Sequence, residues 1–136
     1  MDKEIMEELK KRNIMIEADE DSFDFRCTCC GACCRNREDI LLNAYDVMRI
    51  QKYLKIDFGT FMKQYGEMYI GSVSKLPVLR IRPRGKQRTC PFLIRNKCSI
   101  HEVKPVVCAL FPVGRFTYRE KGSDIAKTEY FVQKCQ

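Results

Sequence analysis

The sequence has one histidine, isolated glycines and no long apolar run, and each scarcity removes a class of function. A lone histidine gives no basis for a nucleophile–histidine catalytic triad. Glycines that never cluster form no phosphate-binding loop. The apolar stretches are all shorter than the roughly 18 residues that a transmembrane helix needs, so we expect no membrane span.

With 136 residues and 45% hydrophobic content, the chain has the size and composition of one globular domain with an extension. The first residues, MDKEIMEELKKR, are charged throughout and lack the apolar core of a signal peptide. We therefore expect a cytoplasmic protein.

Charge divides the chain into two parts. Residues 1–24 contain nine acidic and four basic side chains, whereas residues 25–136 contain nine acidic and 21 basic ones. This asymmetry predicts an acidic N-terminal extension over residues 1–24, followed by a basic, cysteine-rich domain over residues 25–136.

Cysteine is the residue in excess, with nine against one histidine. An odd number of cysteines without an export signal does not indicate a disulfide framework, because a reducing cytosol keeps thiols free. Free thiols that lie close together are metal ligands or redox groups. Five of them fall within CTCCGACC, residues 27–34, a density that packing alone would not favour.

The spacing C-x-x-C-x-x-C-C in this loop lets tight turns direct several sulfurs at one ion. A zinc site takes four thiolates, which usually come as two C-x-x-C pairs. A four-iron cluster often takes three cysteines from C-x-x-C-x-x-C and a remote fourth followed by proline, as in Cys90-Pro91. We favour the iron–sulfur cluster and keep zinc open. Eight thiols are candidate metal ligands, for one site or two: Cys27, Cys30, Cys33, Cys34, Cys90, Cys98, Cys108 and Cys135.

Cys29 lies outside this spacing. For Cys29, Cys108 and Cys135 the competing interpretation is burial as a small apolar side chain. Any site of four thiolates is anionic, and three arginines adjoin candidate ligands in sequence and can balance that charge: Arg26, Arg35 and Arg88.

Residues 75–88 hold six basic and no acidic side chains, with Arg80, Arg82 and Arg84 at a spacing of two. Along a strand this spacing puts three cations on one side, where they can neutralise phosphates. The preferred interpretation is a solvated edge strand that its charges protect from aggregation.

His101 is interpreted as a surface side chain, with metal ligation as the alternative.

Helix caps and apolar spacing predict the main elements. Asn43 and Asp57 are the expected N-caps of two helices. The sequence predicts helices over 44–54 and about 58–65, a short helix that Lys104-Pro105 opens and Pro112 ends, and strands over 67–73 and 76–82. The predicted core consists of Leu41, Val47, Ile50, Leu54, Phe61, Leu93, Val107 and Phe111.

On FRCTCCGACCR (25–35), CPFL (90–93) and CSIHEVKPVVCALFP (98–112), the chain resembles the CxxCxxCC cysteine-cluster family, also called YkgJ-like, of zinc- or iron-chelating domains. The resemblance implies metal chelation by seven cysteines: Cys27, Cys30, Cys33, Cys34, Cys90, Cys98 and Cys108. A related cluster accompanies lysine N-methylation of flagellin, so by analogy the resemblance implies a role in methylating protein lysines, with a protein as partner. The chain departs from the family pattern at His101, Lys104 and Ala109.

Together these observations predict a small, irregular α+β domain, with short helices and a small antiparallel sheet, stapled by a cysteine-ligated metal site. The favoured function is a cytoplasmic metal-binding protein that holds an iron–sulfur cluster (4Fe–4S) or zinc. Two alternatives stay open. One is an enzyme or enzyme subunit linked to protein lysine N-methylation, and the other is a basic nucleic-acid-binding module with structural zinc.

Overall fold

The computed structural model describes residues 7, 8, 11, 13–16, 25, 26 and 31–133. They form an α+β structure of short helices and small antiparallel sheets, which confirms the predicted fold class. The chain divides into two compact units, one of Cys27–Ala109 and one of Met1–Arg26 with Leu110–Gln136. The boundary expected after residue 24 stays a prediction.

The helices and strands are short. The helices that concern the site are Ala44–Leu54 (α1), Phe58–Gln64 (α2) and Val106–Leu110 (α3). The strands are Asn13–Ile16 (β1), Gly66–Ile70 (β2), Pro77–Ile81 (β3), Leu93–Ile94 (β4), Lys97–Cys98 (β5), Val113–Arg119 (β6) and Ala126–Gln133 (β7). No helix among the described residues has both the length and the apolar character needed to cross a bilayer.

Both predicted helix caps are confirmed. The Asn43 side chain accepts a hydrogen bond from the N–H of Asp46, whose carboxylate accepts one from the N–H of Asn43. The Asp57 carboxylate accepts a hydrogen bond from the N–H of Thr60 at the start of α2. These side chains satisfy N–H groups that no helical carbonyl reaches, so each helix begins at a defined residue.

The unit Cys27–Ala109 packs around α1 and α2. Val47 and Ile50 from α1 and Phe61 from α2 are buried as predicted, and the last two are 0% exposed. The extended segments supply the rest of the buried core: Ile40, Leu42, Ile81, Cys90, Phe92 and Ile100. Four predicted core residues are half-buried: Leu54, Leu93, Val107 and Phe111.

The core prediction is wrong at Leu41, whose side chain is 43% exposed while Ile40 and Leu42 are buried. This segment runs extended beside β3, because the N–H of Leu42 donates to the carbonyl of Leu79 and the N–H of Ile81 donates to that of Ile40. Successive side chains of an extended segment point to opposite faces. Burial of its two neighbours therefore turns Leu41 outward.

Two antiparallel hairpins complete this unit, β2 with β3 and β4 with β5. Pro77 is the first residue of β3, a position where its missing N–H is tolerated. The β4–β5 hairpin turns through Arg95 and Asn96, with φ of 49° and 60°. Two successive positive φ angles are typical of the tight turns that join hairpin strands. This hairpin ends at Cys98, which places a candidate ligand on a defined element.

In the second unit, β1, β7 and β6 form an antiparallel sheet in that order. Gly114 pairs with Phe131, which is 9% exposed. A Cβ at Gly114 would overlap the Phe131 ring, so the glycine makes room for this buried aromatic side chain.

Candidate metal centre

The cysteine loop ends in a short 3-10 turn that holds Cys33 and Cys34. The turn begins at Gly31, whose φ of 73° lies in the left-handed region that glycine adopts without strain. The N–H of Cys34 donates to the carbonyl of Gly31 at 3.0 Å. The two sulfurs are 3.9 Å apart. This separation is close to the edge, about 3.8 Å, of a tetrahedron with metal–sulfur bonds of about 2.3 Å.

Backbone hydrogen bonds attach this loop to the segment that carries Cys90. The N–H of Cys90 donates to the carbonyl of Cys34 at 2.8 Å, and the N–H of Asn36 donates to the carbonyl of Gln87 at 3.0 Å. Residues that are more than 50 positions apart in sequence are thus held side by side.

Cys90 and Cys98 lie in turns whose backbone N–H groups face the sulfur. The N–H of Leu93 donates to the carbonyl of Cys90 at 3.1 Å. The backbone N–H groups of Phe92 and Leu93 lower the pKa of the Cys90 thiol, and that of Ile100 lowers the pKa of Cys98, against a larger rise caused by burial. Hydrogen bonds to a sulfur favour its charged form and lower its pKa. The thiolate is the form that binds metal, and these N–H groups favour it by offsetting part of the rise that burial causes in the two pKa values.

Cys108 lies on α3, which the buried carboxylate of Asp46 holds in place. The Asp46 side chain is 1% exposed, and its Oδ1 accepts a hydrogen bond from the N–H of Val106 at 3.1 Å. Val107 and Cys108 pack against the core from this helix. The capping box of α1 therefore also positions a candidate ligand.

Electrostatic interactions among the described thiols show that they share one region. Burial raises the pKa of Cys34, and the thiols of Cys33 and Cys90 raise it further. Burial raises the pKa of Cys108 to about 12, and Cys90 adds to the effect. Burial also raises the pKa of Cys90 and Cys98, each of which is further raised by another thiol. Like charges have this effect only at close range.

Four of the eight candidate ligands thus lie in or against one core: Cys34, Cys90, Cys98 and Cys108. The sulfur of a fifth, Cys33, is 3.9 Å from that of Cys34, and all five are free thiols. The other three, Cys27, Cys30 and Cys135, lie outside the described residues, as does Cys29. Among the described residues, no three His, Cys, Asp or Glu side chains are arranged to hold a metal ion. The donor type nevertheless fits zinc and iron, since clustered thiolates select these metals.

The three arginines that adjoin candidate ligands in sequence differ in their exposure and contacts. Arg88 is 59% exposed and pairs with Glu38, and Arg26 is exposed as well. Arg35 donates to the side chain of Asn96 in the β4–β5 turn. Sequence analysis missed Arg37, whose side chain is only 10% exposed and whose charge lowers the pKa of the Cys108 thiol. Its sequence position gives no signal, because it adjoins no cysteine.

The three regularly spaced arginines of the basic segment have partners within the chain. Arg80 pairs with Glu67 on the neighbouring strand at 2.8 Å. Arg82 donates to the carbonyls of Met62 and Lys63, and Arg84 to that of Gln64. These carbonyls end α2, so the cations interact with the negative end of a helix.

His101 is exposed, in the short 3-10 turn His101–Val103. That environment agrees with the preferred interpretation of a surface side chain.

The chain is similar to a known protein family and to a curated archaeal protein. The chain matches the CxxCxxCC family, described as "Putative zinc- or iron-chelating domain", over residues 26–136. It is 29% identical over 106 residues to the uncharacterized protein MJ0661 of Methanocaldococcus jannaschii. The match covers 76% of this chain and 53% of that protein, so the chain spans about half the length of its curated relative. No solved structure matches it.

Proposed function

Because this chain belongs to the CxxCxxCC family, we propose that its cysteines hold a four-iron iron–sulfur cluster, with zinc as the alternative occupant. The observation that carries the proposal is the packing of four thiols from three separate segments, Cys34, Cys90, Cys98 and Cys108, in or against one core, with the Cys33 sulfur 3.9 Å from that of Cys34. A reduced protein that buries thiols together without a metal keeps them protonated, and metal binding releases those protons.

The proposed ligands are the seven cysteines of the unit Cys27–Ala109 other than Cys29. For a four-iron cluster we propose Cys27, Cys30 and Cys33 from the loop and Cys90 as the remote ligand, in agreement with the C-x-x-C-x-x-C and C-P spacing. Cys34, Cys98 and Cys108 are then available for further coordination or for a second centre. Cys135 lies in the other unit and stays a prediction.

The protein's contribution is to hold these sulfurs in position. N–H groups at Cys90 and Cys98 support the thiolate form, and the Asp46 carboxylate fixes the helix of Cys108. A bound metal supplies cross-links between segments that are distant in sequence, and its binding free energy adds to the stability of the fold.

We also propose a reducing, cytoplasmic location. Nine cysteines, of which five are described as free thiols, require an environment that does not oxidise them. Exposure of the purified protein to air would be expected to form disulfides within the cluster, which makes anaerobic handling necessary.

The test is purification under anaerobic conditions, followed by measurement of iron, acid-labile sulfide and zinc per chain. Iron and sulfide in similar amounts, with a brown colour, would support the cluster. A colourless protein with stoichiometric zinc would contradict the cluster and support the alternative. A protein with none of these, also after reconstitution, would overturn the proposal.

A matched pair of variants tests the ligands. Cys30→Ser removes a proposed ligand, whereas Cys29→Ser changes the adjacent cysteine, which lies outside the spacing. We expect the first to lose most of the metal and the second to keep it. Equal metal content in the two variants would contradict the ligand assignment.

Protein lysine methylation and nucleic-acid binding remain predictions. Among the described residues, Arg80, Arg82 and Arg84 contact groups of the chain itself, so these contacts give no support to phosphate recognition.

A further inference from the structure

We propose that strand β2 is an interface: two copies of this chain associate by antiparallel pairing of β2 with β2, which joins their β2–β3 hairpins into one sheet. The contact uses the outer edge of β2, the edge that faces away from β3. This inference goes beyond the proposed function, because the pairing requires no metal and no cysteine.

The hydrogen bonds at the two ends of the hairpin show which backbone groups form the outer edge. The N–H of Arg82 donates to the carbonyl of Tyr65 at 2.8 Å, and the N–H of Gly71 donates to that of Leu76 at 2.9 Å. In an antiparallel pair, every second residue directs its N–H and carbonyl toward the partner strand. The odd-numbered residues of β2 therefore face β3, and the even-numbered ones point to the outer edge.

Met68 and Ile70 are the residues at which this edge is open. Among the described residues β2 pairs with β3 alone, whereas the far edge of β3 is hydrogen-bonded to the segment 40–42. Met68 is 57% exposed and Ile70 62%, while Gly66, the third even-numbered residue, is buried. An exposed strand edge with apolar side chains and neither lysine nor proline is a template for a further strand.

The edge is its own complement when two copies pair antiparallel about Tyr69. In this register Met68 of each copy lies opposite Ile70 of the other, and each such pair exchanges two backbone hydrogen bonds. Both apolar pairs lie on one face of the joined sheet, and the two Tyr69 side chains lie opposite each other on the other face. Cross-strand apolar and aromatic pairs of this kind stabilise a sheet.

Charge favours a second copy as the occupant. Glu67 is the one charged residue of β2, and its carboxylate pairs with Arg80 of its own chain at 2.8 Å. Arg80 also lies over the Tyr69 ring, with its Cζ 4.8 Å from the ring centre. In the proposed register Glu67 lies opposite Gly71 of the other copy, so no like charges meet. Since β2 offers no uncompensated charge to a charged peptide or an anionic bilayer, it fits an apolar strand of the same sequence best.

Sedimentation equilibrium of the anaerobically purified chain tests the pairing. A contact between two such short strands buries less than the roughly 1,200 Å² of a standard interface, so we expect a weak dimer with a Kd of about 10–100 µM. The measurement therefore covers chain concentrations from about 1 µM to 1 mM. Reductant is present throughout, so that a dimer linked by a disulfide is not counted.

Two variants remove the edge and a third is their control. Met68→Pro deletes an N–H that points away from β3, so it should raise the Kd at least about tenfold while the hairpin stays paired. Ile70→Lys places a charge at the edge and should also raise it at least about tenfold. Ile94→Lys changes a similarly exposed isoleucine, 56% exposed on β4, and should alter the Kd by less than about threefold.

Amide hydrogen exchange, followed by NMR in the wild-type chain, tests the register. The N–H groups of Glu67 and Tyr69 are protected by β3 at every concentration. Those of Met68 and Ile70 should exchange fast in the monomer and become slower as the dimer forms.

A chain that stays monomeric up to the highest concentration would overturn the inference, and sedimentation of that monomer with vesicles of phosphatidylcholine and phosphatidylserine would assign the apolar edge to a lipid surface. A dimer in which folded Met68→Pro and Ile70→Lys bind as the wild type does, or in which Ile94→Lys weakens binding equally, would overturn it as well. If Met68→Pro does not fold, the two isoleucine variants decide. Metal content is measured on the same samples, so a failure of the dimer is distinguishable from a failure of the proposed function.

Discussion

The carboxylate of Asp46 accepts a hydrogen bond of 3.1 Å from the backbone N–H of Val106, 60 residues further along the chain. Its second oxygen accepts one from the N–H of Asn43 at 3.2 Å. One buried side chain thus caps α1 and also fixes the first residue of α3, the helix that carries Cys108. An aspartate at this position in a helix usually serves its own helix alone.

We predict that Asp46→Ala destabilises the metal-free protein more than Asn43→Ala does. Asn43→Ala removes the cap and should cost about 1 kcal/mol. Asp46→Ala also leaves the N–H of Val106 without its acceptor, for a total of about 2–3 kcal/mol. Urea unfolding at neutral pH measures both. Metal affinity should fall more in Asp46→Ala than in Asn43→Ala, because α3 loses its hydrogen bond to Asp46. Equal losses of stability and of metal affinity in the two variants would contradict this account.

A second prediction concerns Gly31, where the chain turns into the Cys33–Cys34 segment. Gly31→Ala and Gly85→Ala place a side chain at nearly the same left-handed φ, 73° and 71°. Each should cost about 1–2 kcal/mol from backbone strain. At Gly31 the new Cβ would also lie 2.6 Å from Nη1 of Arg35, whereas at Gly85 it meets nothing within 4 Å.

We therefore expect Gly31→Ala to displace the Arg35 side chain and to lower metal affinity, and Gly85→Ala to lower stability alone. Unfolding curves and metal competition on the same two proteins test this. A loss of affinity of the same size in Gly85→Ala would show that backbone strain, and not the Arg35 contact, is responsible.

Local patterns explain why much of the fold could be predicted. The Asn43 and Asp57 caps fix the starts of α1 and α2, because a cap requires only residues within one turn of the helix. Spacing and residue type also predict the thiols of the loop and of Cys90, Cys98 and Cys108 as metal ligands, and this assignment stays a prediction.

Contacts between distant segments were not predictable from the same patterns. Leu41 was assigned to the core because the sequence does not tell which face of its segment β3 covers. Arg82 is exposed, in agreement with its interpretation as a surface cation, but its hydrogen bonds to carbonyls 20 and 19 residues earlier in the chain have no signal in the sequence. Arg37 is buried by tertiary packing alone. Each of these outcomes depends on which segments meet, and periodicity carries no information about that.

The third prediction concerns Arg82, the residue that follows β3. Its guanidinium forms hydrogen bonds with the C-terminal end of α2. Its Nη2 donates to the carbonyls of Met62 and Lys63 at 3.1 and 2.7 Å. We expect Arg82→Ala to cost about 1–2 kcal/mol, since it leaves helix-end carbonyls without a donor. Arg88→Ala, which breaks an exposed pair with Glu38, should cost less than about 1 kcal/mol.

Urea unfolding of Arg82→Ala and Arg88→Ala provides the comparison, with binding of a single-stranded oligonucleotide measured on the same samples. If Arg82 interacts mainly with phosphates, its loss would reduce oligonucleotide binding and leave the unfolding curve unchanged. We expect the opposite result, in which only the unfolding curve shifts.

The last prediction is the pH dependence of the reduced, metal-free protein. Burial raises the pKa of Cys108 from 9.0 to about 12 in the folded state, so folding favours the neutral thiol. Its stabilising effect is therefore fully present below pH 9 and is lost as the pH rises from 9 toward 12. The pKa values of Cys34, Cys90 and Cys98 are also raised, so their contributions decrease in the same direction.

Urea unfolding between pH 7 and pH 11, with reductant and chelator present, should show constant stability up to about pH 9 and a decline above it. In Cys108→Ala the decline should be smaller by the contribution of one proton, because one thiol that ionises only on unfolding has been removed. Cys29→Ala is the matched control for loss of a cysteine outside the proposed ligand set. A decline of unchanged slope in Cys108→Ala would mean that this thiol ionises as readily in the folded chain as in the unfolded one, which its burial does not allow.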